Sequence, residues 1–178
     1  VRRRWIAHMI ANLLLLLTAA IWGFGFVAQV LGMNYLEPFA FIGARFVLGA
    51  LSLLPVIWYL QRQEITAGPG IGYLIYASCV LGTILFAASS FQQVGLLYTT
   101  ASNAGFITGM YMVFVPIFGL MLGMATSLVT WLGCIVAATG LFMLGVNDRY
   151  EIGYGDLLQL AGAGIWAAHI LAIDHFTK

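Results

Sequence analysis

Few side chains in this sequence can do chemistry, and their placement is informative. Arg45 stands inside the apolar run "PFAFIGARFVLGALSLLPV" at residues 38–56. A cation at the middle of a membrane helix costs about 2.5–3.5 kcal/mol on insertion scales, so it needs a partner. The nearest carboxylate is Glu37, eight residues earlier at the mouth of the run. At about 1.5 Å per residue it lies roughly 12 Å up the helix axis. A guanidinium that snorkels toward the interface shortens that gap. Structural pairing of Arg45 with Glu37, or with free helix-end carbonyls, is the first expectation. An anionic group of a bound solute is the second, and a gating contact the third.

The other polar residues inside apolar runs are Gln29, Ser89, Ser90, Gln92, Gln93, Ser102, Asn103 and Thr108. In lipid such groups face the interior of a bundle. The plain reading is hydrogen bonding between helices. The sharper reading has Gln29, Asn103 and Thr108 line a polar cavity with Arg45. Trp22 then forms its aromatic wall, or else simply packs at a helix contact. Hydrolytic chemistry lacks its parts: Ser89-Ser90 has no histidine in a neighbouring run, and no two aspartates are paired at depth. No enzyme is expected. His8, His169 and His175 do not have ligand spacing, so neither a metal nor any other cofactor is expected. Cys79 and Cys134 both lie in apolar runs, and a buried, inert thiol is expected for each.

These residues must be held by helices in a bilayer. The 178 residues are 62% hydrophobic and 7% charged, with seven Lys and Arg against six Asp and Glu. Soluble domains are about a quarter charged, and this composition cannot make a water-facing surface. A net charge of +1 leaves no basic face for nucleic acid. Six stretches reach the ~20 apolar residues a span requires: 9–32, 38–60, 71–95, 101–123, 126–146 and 154–174. The fold class is therefore all-α, a polytopic bundle of about six transmembrane helices. The short breaks between stretches hold nearly all the charges and make successive helices antiparallel neighbours. Arg2, Arg3, Arg4, Arg62 and Lys178 fall on one side and Arg149 on the other, which predicts a cytoplasmic N-terminus in the cell (inner) membrane. The apolar run continues past "TAA" to Leu31, so an uncleaved first span is expected in place of a signal peptide.

Small residues recur four apart, as in Ala19/Gly23, Ala28/Gly32, Gly105/Gly109, Gly133/Ala137 and Gly164/Ala168. Such stripes let helix backbones approach closely. Pro55 and Pro116 each remove a backbone donor inside a span. There is also an internal echo. "TAAIWGFGFVAQ" (18–29) and "GAGIWAAHILAI" (162–173) share Ala, Ile, Trp and Ala at an offset of 144 residues. A repeat of five spans is odd-numbered, so its next copy enters the membrane from the other side. Inverted repeats build many secondary transporters, with the solute site between the copies. On this reading residues 1–150 are the first repeat, and 151–178 are the first span of a truncated second. The chain is then roughly half to two-thirds of a protein, in need of its second repeat or a second copy.

The opening "LTAAIWGFGFVAQVLGMNYLEPFAFIGARFVLGALSLLP" resembles EamA-type proteins of the drug/metabolite transporter superfamily, through Trp22-Gly23, Pro38-Phe39 and Arg45-Phe46. "QQVGLLYTTASNAGFITGMYMVFVPIFGLML" resembles their third-to-fourth hairpin, and "WLGCIVAATGLFML" their fifth span. The resemblance runs from residue 12 to about 174. It implies one half of a ten-helix inverted-repeat transporter that exports small organic metabolites or drugs by alternating access. The partners implied are the lipid bilayer, a small-molecule substrate and the second half. A charged pair usual in that family after the fourth span is absent at Gly123-Met124-Ala125. The membrane glutamate used by small four-helix exporters of the superfamily is also absent from the first span. Asp156 and Asp174 sit only near the ends of the sixth. The alternative reading is a non-transporting membrane scaffold or accessory subunit, in which the interior polar residues are purely structural.

Overall fold

A computed structural model describes residues 2–61, 69–145 and 153–178. Arg62 and Arg149, two of the six cations used for orientation, lie outside the described residues. The described chain is all-helical: α1 (Arg2–Gly32), α2 (Pro38–Gln61), α3 (Ile71–Gly95), α4 (Ala101–Gly109), α5 (Tyr111–Met121), α6 (Leu128–Gly145) and α7 (Tyr154–Phe176). Helices α4 and α5 are one membrane-length helix interrupted at Met110, so the bundle has six helices. Five of them are long and apolar enough to span a bilayer. The sixth, α6, occupies the expected span 126–146. It runs from Leu128 to Gly145 and is apolar along its length.

Local chemistry sets the helix starts. Pro38 opens α2, where a missing N–H costs nothing. The Thr100 hydroxyl caps α4 by accepting from Asn103 N–H at 3.1 Å. The Ser127 hydroxyl accepts from Thr130 N–H at 3.1 Å at the start of α6. Asp156 accepts from Gly153 N–H at 3.0 Å at the start of α7, and its other oxygen accepts from the Thr99 hydroxyl at 2.6 Å. That last bond ties the α3–α4 turn to the mouth of α7. Hydroxyls on exposed faces turn back onto their own helix: Thr18 to Leu14 O, Thr83 to Cys79 O, and Thr139 to Ile135 O. This satisfies them where lipid offers no partner.

The core is the contact of α7 with α3, the most extensive in the bundle; α7 also packs on α4 and α5. Small residues make it possible. A Cβ on Gly155 would come within 2.7 Å of both the Gly95 carbonyl oxygen and the Tyr98 carbonyl carbon. A Cβ on Gly162 would meet the Ala88 carbonyl oxygen and Gln92 N, each at 3.5 Å. The working stripe on α7 is therefore Gly155, Gly162, Ala163 and Ala167, all buried. The expected pair Gly164/Ala168 does not serve, because Gly164 has open space where a Cβ would go. Helices α1 and α2 touch the rest sparingly, and Leu13 to Leu17 are all more than half exposed, as lipid-facing residues must be.

Pro116 leaves the carbonyl of Met112, four residues earlier, without its helix donor. The Cys134 thiol of α6 points at that oxygen from 3.4 Å, so α6 supplies what the proline removes. Cys134 is buried, as the sequence led us to expect. Cys79 instead is exposed on the outer side of α3. Among the described residues both thiols are free.

Candidate functional site

A cavity of about 900 Å³ lies between α1 and the interrupted helix α4–α5. Its room comes from small side chains: Ala19 and Gly23 on α1, and Ala101, Gly105 and Gly109 opposite. Its walls are aromatic: Trp22, Phe26, Phe106 and Tyr111. The Trp22 ring is 6.1 Å from Tyr111, tilted by 36°, and 6.0 Å from Trp166 on α7, edge-on at 76°. Trp166 in turn meets the His169 ring at 5.9 Å. Three lining residues carry hydroxyls: Ser102, Thr108 and Tyr111. The interruption at Met110 is at the cavity's edge. There Met110 N–H bonds three residues back, to Ile107 O at 3.1 Å, in place of four.

Thr108 also belongs to a buried polar knot joining three helices. Gln92 Nε2 donates to the Thr108 hydroxyl at 3.2 Å, and that hydroxyl donates to Gln159 Oε1 at 3.3 Å. Gln159 Nε2 donates to the Gln92 carbonyl at 2.8 Å. Gln159 and Gln92 are buried almost completely. In lipid a closed ring of donors and acceptors fixes how α3, α4 and α7 face one another.

The structure separates the residues that the sequence grouped. Trp22 and Thr108 line the cavity. Gln29, Asn103 and Arg45 do not. Gln29 is buried on α1, with Nε2 bonded to Gly25 O at 3.1 Å and Oε1 unpartnered. Asn103 Oδ1 is likewise buried without a partner. Arg45 is half-buried on α2, and its guanidinium lies 5.4 Å over the neighbouring Phe46 ring. No ion pair joins it to Glu37. Glu37 is exposed ahead of the helix, and the ion pair found among the described residues is Lys178 with Asp174. Eight residues turn a helix by about two and a quarter turns, so the two side chains start on different faces.

Sequence reasoning passed over Tyr111 and Gln159. The signal for Gln159 was present: a lone amide in an apolar run, as at Gln92. Tyr111 gave none, because only the fold brings α5 beside α1. The echoed tryptophans at positions 22 and 166 are in ring contact. Among the described residues no group of three or more His, Cys, Asp or Glu is placed to hold a metal.

Fold and cavity together describe a multi-pass helical membrane protein with an aromatic-walled interior space. The chain belongs to the EamA-like transporter family, whose model matches residues 9–146. Two curated relatives are each an uncharacterized transporter of Archaeoglobus fulgidus. One is 32% identical over 97% of this chain, and the other 29% identical over 93%. The chain spans 52% of the first relative's length and 60% of the second's. No solved structure matches it.

Proposed function

We propose that this chain is part of a secondary transporter that moves small organic metabolites outward across the cell (inner) membrane. Residues 1–150 form the first of two inverted five-helix repeats, and 151–178 begin the second. The N-terminus is cytoplasmic. The observation that supports this reading is the open cavity between α1 and α4–α5, given room by residues at both faces that lack bulk. A volume of about 900 Å³ is in the range of small-molecule sites. A scaffold has no need of such a space, because close packing of apolar helices stabilises a bundle better than a void. The interruption at Met110 gives α5 a point about which to tilt against α4, which alternating access requires. The knot of Gln92, Thr108 and Gln159 holds α4 to α3 and α7.

The test is transport by the gene's full-length product in proteoliposomes. Vesicles are loaded with a metabolite mixture, and the external medium is sampled by mass spectrometry against protein-free vesicles. Protein-dependent release of at least one solute is the expected result. Folded, reconstituted protein that releases none would overturn the reading.

A further inference from the structure

We propose that the solute held in this cavity is uncharged and carries a flat aromatic-sized ring, seated against Trp22 and Tyr111 with the Ser102 hydroxyl as its polar contact. This rests on the reading of the cavity as the solute site. The first observation is the charge content of the walls. None of the thirteen lining residues is Asp, Glu, Lys, Arg or His. The sequence shows the same more broadly, with no such residue between Met9 and Gly32 or between Ala101 and Met121. Arg45, the cation placed deepest in a span, is on α2 and does not reach the lining. A charged solute here would leave water without a counter-charge, a loss on the order of a hundredfold in affinity on membrane-insertion scales.

The second observation is the shape of the apolar surface. Trp22 and Tyr111 lie side by side in the lining, ring centroids 6.1 Å apart and tilted by 36°, and Phe26 and Phe106 add to the same wall. Flat rings gain from offset or edge contact with such faces beyond what their area gives. A flexible chain does not. The third is the supply of hydrogen bonds. Thr108 is committed to Gln92 and Gln159, whereas the Ser102 and Tyr111 hydroxyls have no hydrogen-bond partner among the described residues. Free hydroxyls with no charged neighbour suit a neutral polar group.

Binding of three indoles with one ring system and different charge tests this directly. The full-length product in nanodiscs is titrated with indole-3-acetamide (neutral), indole-3-acetate (anionic) and tryptamine (cationic). Cyclohexylacetamide serves as the neutral non-aromatic probe, and empty nanodiscs give the partition background. The expected result is saturable binding of indole-3-acetamide, at least about tenfold tighter than any of the other three. Trp22→Leu and Gly23→Leu should each abolish it, while Trp22→Phe retains most of it. Tighter or equal binding of either charged indole overturns the proposal. So does equal binding of cyclohexylacetamide, which would mark the space as a lipid-filled groove. Binding that survives both Trp22→Leu and Gly23→Leu also overturns it. If proteoliposomes release solutes but indole-3-acetamide does not bind, the solute class falls and transport stands. If nothing is released, the functional reading falls first.

Discussion

Replacing Gln159 by leucine removes the centre of the three-helix knot at nearly constant shape. Gln159 makes two interhelical hydrogen bonds, donating to the Gln92 carbonyl at 2.8 Å and accepting from the Thr108 hydroxyl at 3.3 Å. Interhelical side-chain bonds in membranes average about 0.6 kcal/mol and reach about 1.7, so the pair contributes roughly 1–3 kcal/mol. Two effects push toward the low end. The Gln92 carbonyl keeps its helix donor, Leu96 N–H at 3.0 Å, so it is not orphaned. The Thr108 hydroxyl can turn to a carbonyl of its own helix, as Thr83 and Thr139 do. We expect Gln159→Leu to destabilise by about 1–2 kcal/mol in denaturant titrations in detergent, followed by loss of helicity. Thr108→Val should cost a similar amount. The double variant should cost clearly less than the two together, because each change removes the same bond. A Gln159→Leu protein as stable as wild type, or strict additivity, would refute the view that this ring holds α3, α4 and α7.

Gly155→Ala should destabilise by about 1–3 kcal/mol, because its new Cβ meets backbone atoms at 2.7 Å that cannot turn aside. Gly164→Ala, in open space, should change stability little by the same titration. Cys134→Ala should cost about 0.5–1 kcal/mol by leaving the Met112 carbonyl unpartnered, while Cys134→Ser should cost less. That difference should vanish in a Pro116→Ala background, where the helix regains its own donor; persistence there would refute the thiol's role. Arg45→Gln should leave indole-3-acetamide binding within about twofold of wild type, since Arg45 is outside the lining. A much larger loss in well-expressed protein would return Arg45 to the site.

The helices were legible because apolar runs of membrane length, broken by charged and turn residues, have little else to become in lipid. Pro38 and Gly70 marked their boundaries to the residue. The interruption at Met110 was not legible. Methionine carries no helix-breaking chemistry, and the nearby proline pointed six residues downstream. Pairing Arg45 with Glu37 assumed that closeness in sequence means closeness in space, and eight residues of helix geometry work against it. Trp22 and Thr108 were chosen for their residue type in a span, and the fold places both on the cavity. Gln29 and Asn103 were chosen on the same grounds and turned into packed interior. What divides these pairs is which face of α1 meets α4, a tertiary fact that an almost uniformly apolar helix does not encode by periodicity. The Gly155 approach was hidden for a similar reason. Glycine is abundant here, and only the position of Gly95 opposite makes one of them indispensable.

Filling the cavity is the most direct test of the claim that it carries the solute. A Cβ at Gly23 meets nothing within 4 Å, and the same holds at Gly133 on α6, which is outside the lining. Leucine at either position should therefore be tolerated by the fold, but only Gly23→Leu occupies the solute's space. In proteoliposomes of the full-length product, Gly23→Leu should lower the initial rate of solute release at least about tenfold, with Gly133→Leu at the wild-type rate. Equal rates in all three, with Gly23→Leu folded and reconstituted, would contradict the assignment of this cavity to transport.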